Sequence, residues 1–467
     1  MQNGISTFHI ITWGCQMNED DSLQMANILL QMGYRYASHV EDADLILLNT
    51  CSVREKPERK VLSKLGELRE LKSRKPHVLI GVCGCMAQRV GVGITKVAPH
   101  VDMVVGTDGI PQIPHLIDRV KAGERPVYAL ELPERNCRPR QVIPKRKIGE
   151  VSLKQFVPIM YGCDNFCTYC VVPTVRGPER SRPIENIVAE VEDLVARGCR
   201  EVALIGQNVN SYKAWSDGAG APFSQRLAIG DEANAQCGGE QPKNFAHLLE
   251  RLNEINDLWR IRFTTSHPKD LTDELIEAMR LPKVCEHLHL PLQSGDNDIL
   301  RAMNRHYTVE HYISLVEKVR QAVPGIAITT DVMVGFPGET EDCFRNTLRA
   351  IQEVRFDAAF MFAFNPRPGT KAAEMPGQVD YKTKTRRLVE LIELQNKITL
   401  ERNEEQVGTV FEVLVEGVSE KDTSKLTGHT RTNKTVVFPG GTDLIGRLVM
   451  VRSVKAHPWG FTAEPTN

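Results

Sequence analysis

Short apolar runs alternate with amphipathic stretches through the first 120 residues. FHIIT (8–12), LILLN (45–49), VLIGV (78–82) and VDMVV (101–105) read as strands, and their Val/Ile/Leu content suits a parallel sheet covered on both faces. Between them Leu23, Met25, Ala26, Leu29 and Leu30 fall on a helical period behind the capping candidates Asn18 and Asp21. The pattern predicts a doubly wound α/β domain, whose ligands sit beyond the carboxyl ends of the strands. Cys15, Cys51 and Cys85 lie two or three residues past such ends, so three cysteines distant in sequence are expected to converge on one edge.

From residue 156 strand and helix patterns repeat six times. The strands are FVPIM (156–160), VALIG (202–206), IRFTT (261–265), HLHLPL (287–292), IAITTDVMV (326–334) and AAFMFAF (358–364). Helical periodicity lies between them, as at Ile184, Ile187, Val188, Val191, Leu194 and Val195. Six βα units predict a partial parallel barrel with its site at the carboxyl ends of the strands. Residues 213–243, rich in Gly, Ala, Ser and Asp, read as an inserted surface loop. A charged helical segment from Tyr381 to Glu405 precedes VFEVLVEG, KLTGHT, KTVVFPGG, IGRLVMVRSV and WGFTAE. These predict a five-stranded β-barrel of a type used on oligonucleotides, with a purely structural cap as the alternative. The expected boundaries are 6–123 for the first domain, 124–149 for a linker, 150–385 for the partial barrel, 386–399 for a connecting helix and 400–465 for the terminal barrel.

Composition adds limits. The chain has 467 residues, 58 Lys+Arg against 59 Asp+Glu, 41% hydrophobic and 25% charged residues, an ordinary balance for two or three globular domains. That excludes a small disulfide scaffold, a polyelectrolyte tail and long-range disorder. The balanced charge gives the terminal barrel no electrostatic mark of RNA binding. RNCRPRQVIPKRK (135–147) holds six basic and no acidic residues and reads as a linker, either solvated or touching phosphate. No basic segment leads an apolar run at the start, and nowhere do about 18 apolar residues run together. A cytoplasmic chain with no membrane partner is expected. Its 12 cysteines, kept reduced there, must be ligands, catalysts or small buried hydrophobes. Cys83, Cys137, Cys199, Cys237, Cys285 and Cys343 fit the last description.

YGCDNFCTYC places Cys163, Cys167 and Cys170 in a loop after a predicted strand. Structural zinc takes four protein ligands, whereas an iron–sulfur cube held by three cysteines keeps one iron open. The Cys-x3-Cys-x2-Cys spacing, with an aromatic before the last cysteine, resembles that of the radical S-adenosylmethionine (SAM) superfamily. The resemblance implies that these three cysteines ligate a 4Fe-4S cluster. Its open iron would be chelated by SAM, and cleavage of SAM would give a 5′-deoxyadenosyl radical that abstracts hydrogen. It further implies that Tyr169, Gly206, Ser294, Gly335 and Gly338 bind SAM, although GQN at 206–208 departs from the usual Gly-Gly-Glu wording. Cys15, Cys51 and Cys85 again supply three ligands, which suits a second, chemically active cluster better than simple electron conduction.

TWGCQMNEDDS, LLNTCSVRE, GCMAQ, YGCDNFCTYCVVPTVRGPERSRP, LIGQNVNSY, TSHP, PLQSG, MNRHYT, DVMVGFPGET and NPRPGT occur in that order. Together they resemble the methylthiotransferases over residues 6 to 465. GC-x-AQ is that family's wording, which selects Cys85 over Cys83. The resemblance implies an N-terminal methylthiotransferase domain with an auxiliary 4Fe-4S cluster, a central radical SAM domain and a C-terminal RNA-binding β-barrel called TRAM. RG-x3-SRP and LIGQNVNSY most resemble the tRNA-modifying branch. That implies methylthiolation of carbon 2 of N6-isopentenyladenosine at tRNA position 37, using one SAM as methyl donor and one as radical source, with sulfur delivered at the auxiliary cluster. The implied partners are the anticodon loop and a low-potential electron donor, and a monomer is expected. Arg176, Arg180 and Arg182 would meet substrate phosphate or ribose, or else form internal ion pairs. Asn365, where serine is common, and the 213–243 insertion depart from the family. The alternatives are a threonylcarbamoyladenosine tRNA or a ribosomal-protein aspartate as acceptor, and an iron–sulfur RNA-binding sensor without turnover.

Overall fold

Strands too apolar to face water build the first sheet. In the computed structural model, which describes residues 6–52, 55–133, 151–214 and 242–466, β1 (Thr7–Trp13), β2 (Arg35–Tyr36), β3 (Leu45–Thr50), β4 (Leu79–Cys83), β5 (Met103–Val105) and β6 (Val127–Ala129) form a parallel sheet of order β2-β1-β3-β4-β5-β6. The expected linker from residue 134 onward and the insertion between 215 and 241, with Cys137 and Cys237, lie outside the described residues. Every residue of β3 is buried. Leu45 and Leu47 pack with Met25, Leu29 and Ile117 on one face, and Ile46 and Leu48 with Leu65 and Leu68 on the other, as the two-residue period of a strand requires. Each such leucine contributes about 1.5–3 kcal/mol. Strand order reverses between β1 and β3, the crevice where doubly wound sheets bind ligands.

The partial barrel runs β7 (Lys154–Pro158), β10 (Glu201–Ile205), β13 (Arg260–Phe263), β14 (His287–His289), β15 (Ala327–Val334) and β16 (Ala358–Ala363). Two parallel three-stranded sheets, β7-β10-β13 and β14-β15-β16, join through the Ile261–Val284 bridge. Strands β7 and β16 are the two edges of this arrangement. The six apolar positions expected on one helix are all buried in the helix Ile184–Ala196. Two ribbons lie outside the barrel: β8 (Met160–Tyr161) with β9 (Arg180–Ser181), and β11 (Lys213–Ala214) with β12 (Lys243–Asn244).

The terminal domain is a closed barrel of β17 (Val410–Val418), β18 (Lys425–Thr430), β19 (Thr435–Pro439), β20 (Leu448–His457) and β21 (Gly460–Pro465). It sits beneath the amino ends of the partial barrel's strands. Arg260, with no exposed surface, donates to the carbonyl of His429 (2.8 Å) and to Glu412 Oε1 (2.8 Å). Arg262 donates to the carbonyl of Thr430 (2.7 Å) and to Glu201 Oε1 (2.9 Å). Lys154 and Arg431 add ion pairs to Glu416 and Glu286.

Three expectations are corrected. The first sheet extends past residue 123, because β6 pairs with β5 inside the stretch taken as linker. A single helix, Tyr381–Glu404, crosses both boundaries expected near 385 and 399: it holds no glycine or proline, and Asp380 caps it by accepting from the Thr383 N–H. Strand β14 stops at His289 because Pro291 cannot donate to a ladder.

Candidate active site

The three cysteines of the first domain meet at its crevice. Cys15 is the residue before the helix Gln16–Gln31, Cys51 follows β3, and Cys85 opens the helix Cys85–Val90. Asn18 and Asn49 tie the first two loops together: the Asn49 amide donates to the carbonyl of Asn18 (2.7 Å) and to Ser22 Oγ (2.8 Å). Gly84 has φ +86, and a Cβ there would lie 2.2 Å from Asn49 Oδ1, so only glycine lets Cys85 close on the pair. A hydrogen bond with Cys51 and the positive charge of Arg176 outweigh burial to draw the Cys15 thiol down to about 6. Burial pushes the Cys85 thiol up, partly offset by Arg176.

The second trio occupies the loop between β8 and β9, whose pairing closes that loop at its base. Cys163 and Cys167 are buried. Cys170 Sγ accepts from the Val172 N–H (3.4 Å), and Cys167 Sγ accepts from Arg305 Nη1 (3.4 Å). Arg305 is itself held by Tyr307 Oη and the carbonyl of Pro291. The Asn304 side chain donates to the carbonyls of Asn165 and Phe166. Burial pushes Cys163 up to about 11 and Cys170 up to about 12, so metal binding there must release protons. Among the described residues no three Cys, His, Asp or Glu side chains gather around one metal ion. An iron–sulfur cube instead takes its thiolates on separate irons, which suits ligands spread along a loop.

The two trios are close neighbours. The helix Val172–Arg176 starts two residues after Cys170, and Cys85 packs against Val171 and Val175.

A cavity of about 1590 Å³ fills the barrel from Tyr169, Cys170 and Val171 at one end to Lys434 and Trp459 of the terminal barrel at the other. Its walls carry His287, His289, Thr329, Asp331 and Phe360. Of the five residues expected to bind SAM, Tyr169 lines it, its ring edge-on to Phe336 at 6.5 Å. Gly206, Ser294, Gly335 and Gly338 lie outside its lining. A Cβ at Gly206 would strike Met160. Ser294 is fully buried, and its hydroxyl accepts from the Asp296 N–H. Gly335 donates to Glu339 Oε1 and crowds Lys384, while the Gly338 N–H bonds the carbonyl of Gly377. Sequence reasoning also missed a polar group that fits a polar ligand. Buried atoms of Gln207, Asn208, Asn210, Ser266 and His267 have no hydrogen-bond partner in the chain, and they collect beyond the carboxyl ends of β10 and β13, the ligand-binding end of such barrels. Burial holds the His267 imidazole down near 2. Its Nδ1 accepts from the Lys269 N–H, so Nε2 is left with the unpaired proton.

The three arginines beyond the cysteine loop are buried and ion-paired within the chain, the second of the two roles expected for them. Arg176 Nη2 donates to Asp21 Oδ2 (2.8 Å), Arg180 pairs bidentately with Asp108 (2.8 and 3.0 Å), and Arg182 Nη2 donates to Glu190 Oε2 (2.7 Å). A buried guanidinium needs such a partner, and two of the three partners belong to the first domain. Nearby, Ser211 Oγ donates to Glu179 Oε2 (2.7 Å), yet burial pushes the Glu179 carboxyl up to about 7. A carboxyl whose folded value is raised stabilises below its unfolded value near 4.5 and loses that contribution as pH rises through the folded value. Thermal unfolding of the wild type should therefore weaken between about pH 5 and 8 relative to Glu179→Gln, by about 1.4 kcal/mol per pKa unit. Parallel pH profiles would refute the assignment.

Family models match three stretches: an uncharacterized protein family, UPF0004, at residues 7–106, the radical SAM superfamily at 157–351 and the TRAM domain at 404–465. The tRNA-2-methylthio-N(6)-dimethylallyladenosine synthase of Moorella thermoacetica is 49% identical over 462 residues, 98% of each chain. The enzyme of the same name from Carboxydothermus hydrogenoformans is 49% identical over 96% of each. Among solved structures, the radical S-adenosylmethionine methyltransferase TsrM from Kitasatospora setae aligns with a TM-score of 0.53 at 14% identity, over 88% of this chain and 79% of that one. That likeness concerns the fold alone.

Proposed function

Since the chain belongs to the family of tRNA-2-methylthio-N(6)-dimethylallyladenosine synthases, we propose that it transfers a methylthio group to carbon 2 of N6-isopentenyladenosine at tRNA position 37. The observation that carries this reading is the adjacency of two cysteine trios across one five-residue helix, at the end of a cavity large enough for a cofactor and a nucleotide. Such small-molecule sites span about 300–1,000 Å³, so the cavity has room for both. Cys163, Cys167 and Cys170 would hold a 4Fe-4S cluster that binds SAM, and Cys15, Cys51 and Cys85 a second one. When bound, the first group would supply one-electron chemistry able to break a C–H bond, and the second would be the place at which sulfur is delivered and methylated.

The chain's own residues prepare both places. Arg305 sets a cation against Cys167, and Asn304 fixes the loop that carries the thiols. Gln207, Asn208, Asn210, Ser266 and His267 offer unpaired polar atoms for a polar cofactor, with Tyr169 against its flat part. The cavity's wall includes the apolar side chains of Phe360, Phe362 and Met333, against which the flat face of a base can pack. An adenine inside a stacked helix cannot enter such a cavity, whereas an anticodon loop offers unstacked bases. A low-potential donor would supply the electrons to a monomeric enzyme. Among the described residues no helix is long and apolar enough to cross a membrane.

Mass spectrometry of tRNA nucleosides from a strain lacking the gene, beside its parent, tests the reading. The 2-methylthio-isopentenyl nucleoside should vanish and its unthiolated precursor accumulate. Persistence of the product, with no redundant enzyme present, would overturn the acceptor and turn attention to threonylcarbamoyladenosine tRNA and the ribosomal-protein aspartate.

A further inference from the structure

We infer that Trp459 is a stacking platform for an unpaired base of the anticodon loop, neighbouring the nucleotide taken into the barrel. This rests on the tRNA reading above and deepens it. Trp459 occupies the two-residue turn between β20 and β21, where His457 pairs with Gly460. Its indole lies parallel to the His457 imidazole, 5° between planes and 4.6 Å between centroids. With one face covered in this way the side chain is still 49% exposed, so the other face is open.

The platform is fixed from three sides. Thr462 Oγ1 lies 3.0 Å from His457 Nε2 and orients the imidazole. The carbonyl of His457 accepts from the Asn403 amide (2.7 Å), tying the turn to the long helix. Gly460, at φ +143, lies so close to β19 that a Cβ would come within 1.9 Å of the Thr435 carbonyl, leaving the turn little room to slide. A rigid, half-bare indole costs less entropy to use than a mobile one.

Its place in the molecule selects the ligand. Trp459, with Pro458 and Gly460, lines the same cavity as Tyr169 and Cys170, and Arg59 and Arg367 line it too. A cavity whose wall carries both an open aromatic face and cationic side chains suits single-stranded nucleic acid, which stacks its bases and pairs its phosphates with charge. A strand that sends one base toward Cys170 has its flanking nucleotides at the cavity's rim, within reach of the terminal barrel.

The test uses the full-length reconstituted enzyme and an isopentenylated anticodon stem-loop with 2-aminopurine at positions flanking the target. Trp459→Ala should raise KM for the stem-loop by about 5- to 150-fold with a smaller change in kcat. Trp459→Phe should restore most of the loss, which a merely structural defect would not predict. The 2-aminopurine signal should change on binding to the wild type and not to Trp459→Ala. Equal KM values for wild type and Trp459→Ala, or no recovery with phenylalanine, would overturn the platform while leaving the function intact. A wild-type enzyme that forms no methylthio product on the stem-loop would overturn the tRNA reading itself.

Discussion

Alanine at Cys163, Cys167 or Cys170 is expected to abolish 5′-deoxyadenosine formation, a fall of about a thousandfold or more, because no side chain supplies one-electron chemistry in place of the lost group. Alanine at Cys15, Cys51 or Cys85 should leave 5′-deoxyadenosine measurable and stop methylthio transfer to the same extent. The separation follows from the architecture: Cys163, Cys167 and Cys170 hang on the loop between β8 and β9, and Cys15, Cys51 and Cys85 on three strand ends of another sheet. Anaerobic assay of both products, with iron content measured for each variant, distinguishes the outcomes. Methylthio transfer surviving in all three first-domain variants would remove the sulfur-delivery role. An RNA-binding sensor, by contrast, would make no 5′-deoxyadenosine in any of the seven proteins.

Arg176→Met is expected to loosen the first domain from the barrel by about 3–5 kcal/mol, the usual cost of stripping one partner from a buried ion pair. Asp21 has no exposed surface and receives the guanidinium at 2.8 Å. The same substitution removes the positive charge that draws down Cys15 and partly offsets the burial of Cys85. Thermal unfolding should show the first domain melting earlier. Adding Asp21→Asn should recover part of the loss, because the two residues share one interaction. Arg176→Lys should recover less than arginine provides, since an ammonium lacks the planar fork. An unchanged transition in Arg176→Met would refute the pair as a domain lock.

The strands of both α/β domains were legible because burial on two faces demands uninterrupted apolar runs, and β3 and β4 supply them. The cysteine trios were legible for related reasons: one from close spacing, the other from strand register. Strands β2 and β6, with two and three residues, carry too little pattern to be seen. Arg260 illustrates a deeper limit. It directly precedes IRFTT and is the first residue of a buried strand, and the partner that explains its charge there, Glu412, lies 152 positions away. The partners of Arg176 and Arg180 were hidden in the same way, so a basic run in sequence became a set of buried domain contacts. Asn304 and Arg305 sat inside MNRHYT in plain view. Their importance comes from the backbone, since Asn304 at φ +60 follows the end of a short helix and turns toward the cysteine loop.

The Arg176 contact also orders events on the ribosome. The crevice holding Cys15, Cys51 and Cys85 is complete in sequence roughly ninety residues before Arg176 is made, a delay of roughly 5–18 s at ordinary rates of synthesis. During translation the nascent first sheet therefore presents its three thiols before the barrel, with its buried cation, can dock over them. A cofactor delivered to that crevice during this interval would meet all three thiols without the barrel beside them, whereas after docking Cys15 is the exposed one of the three.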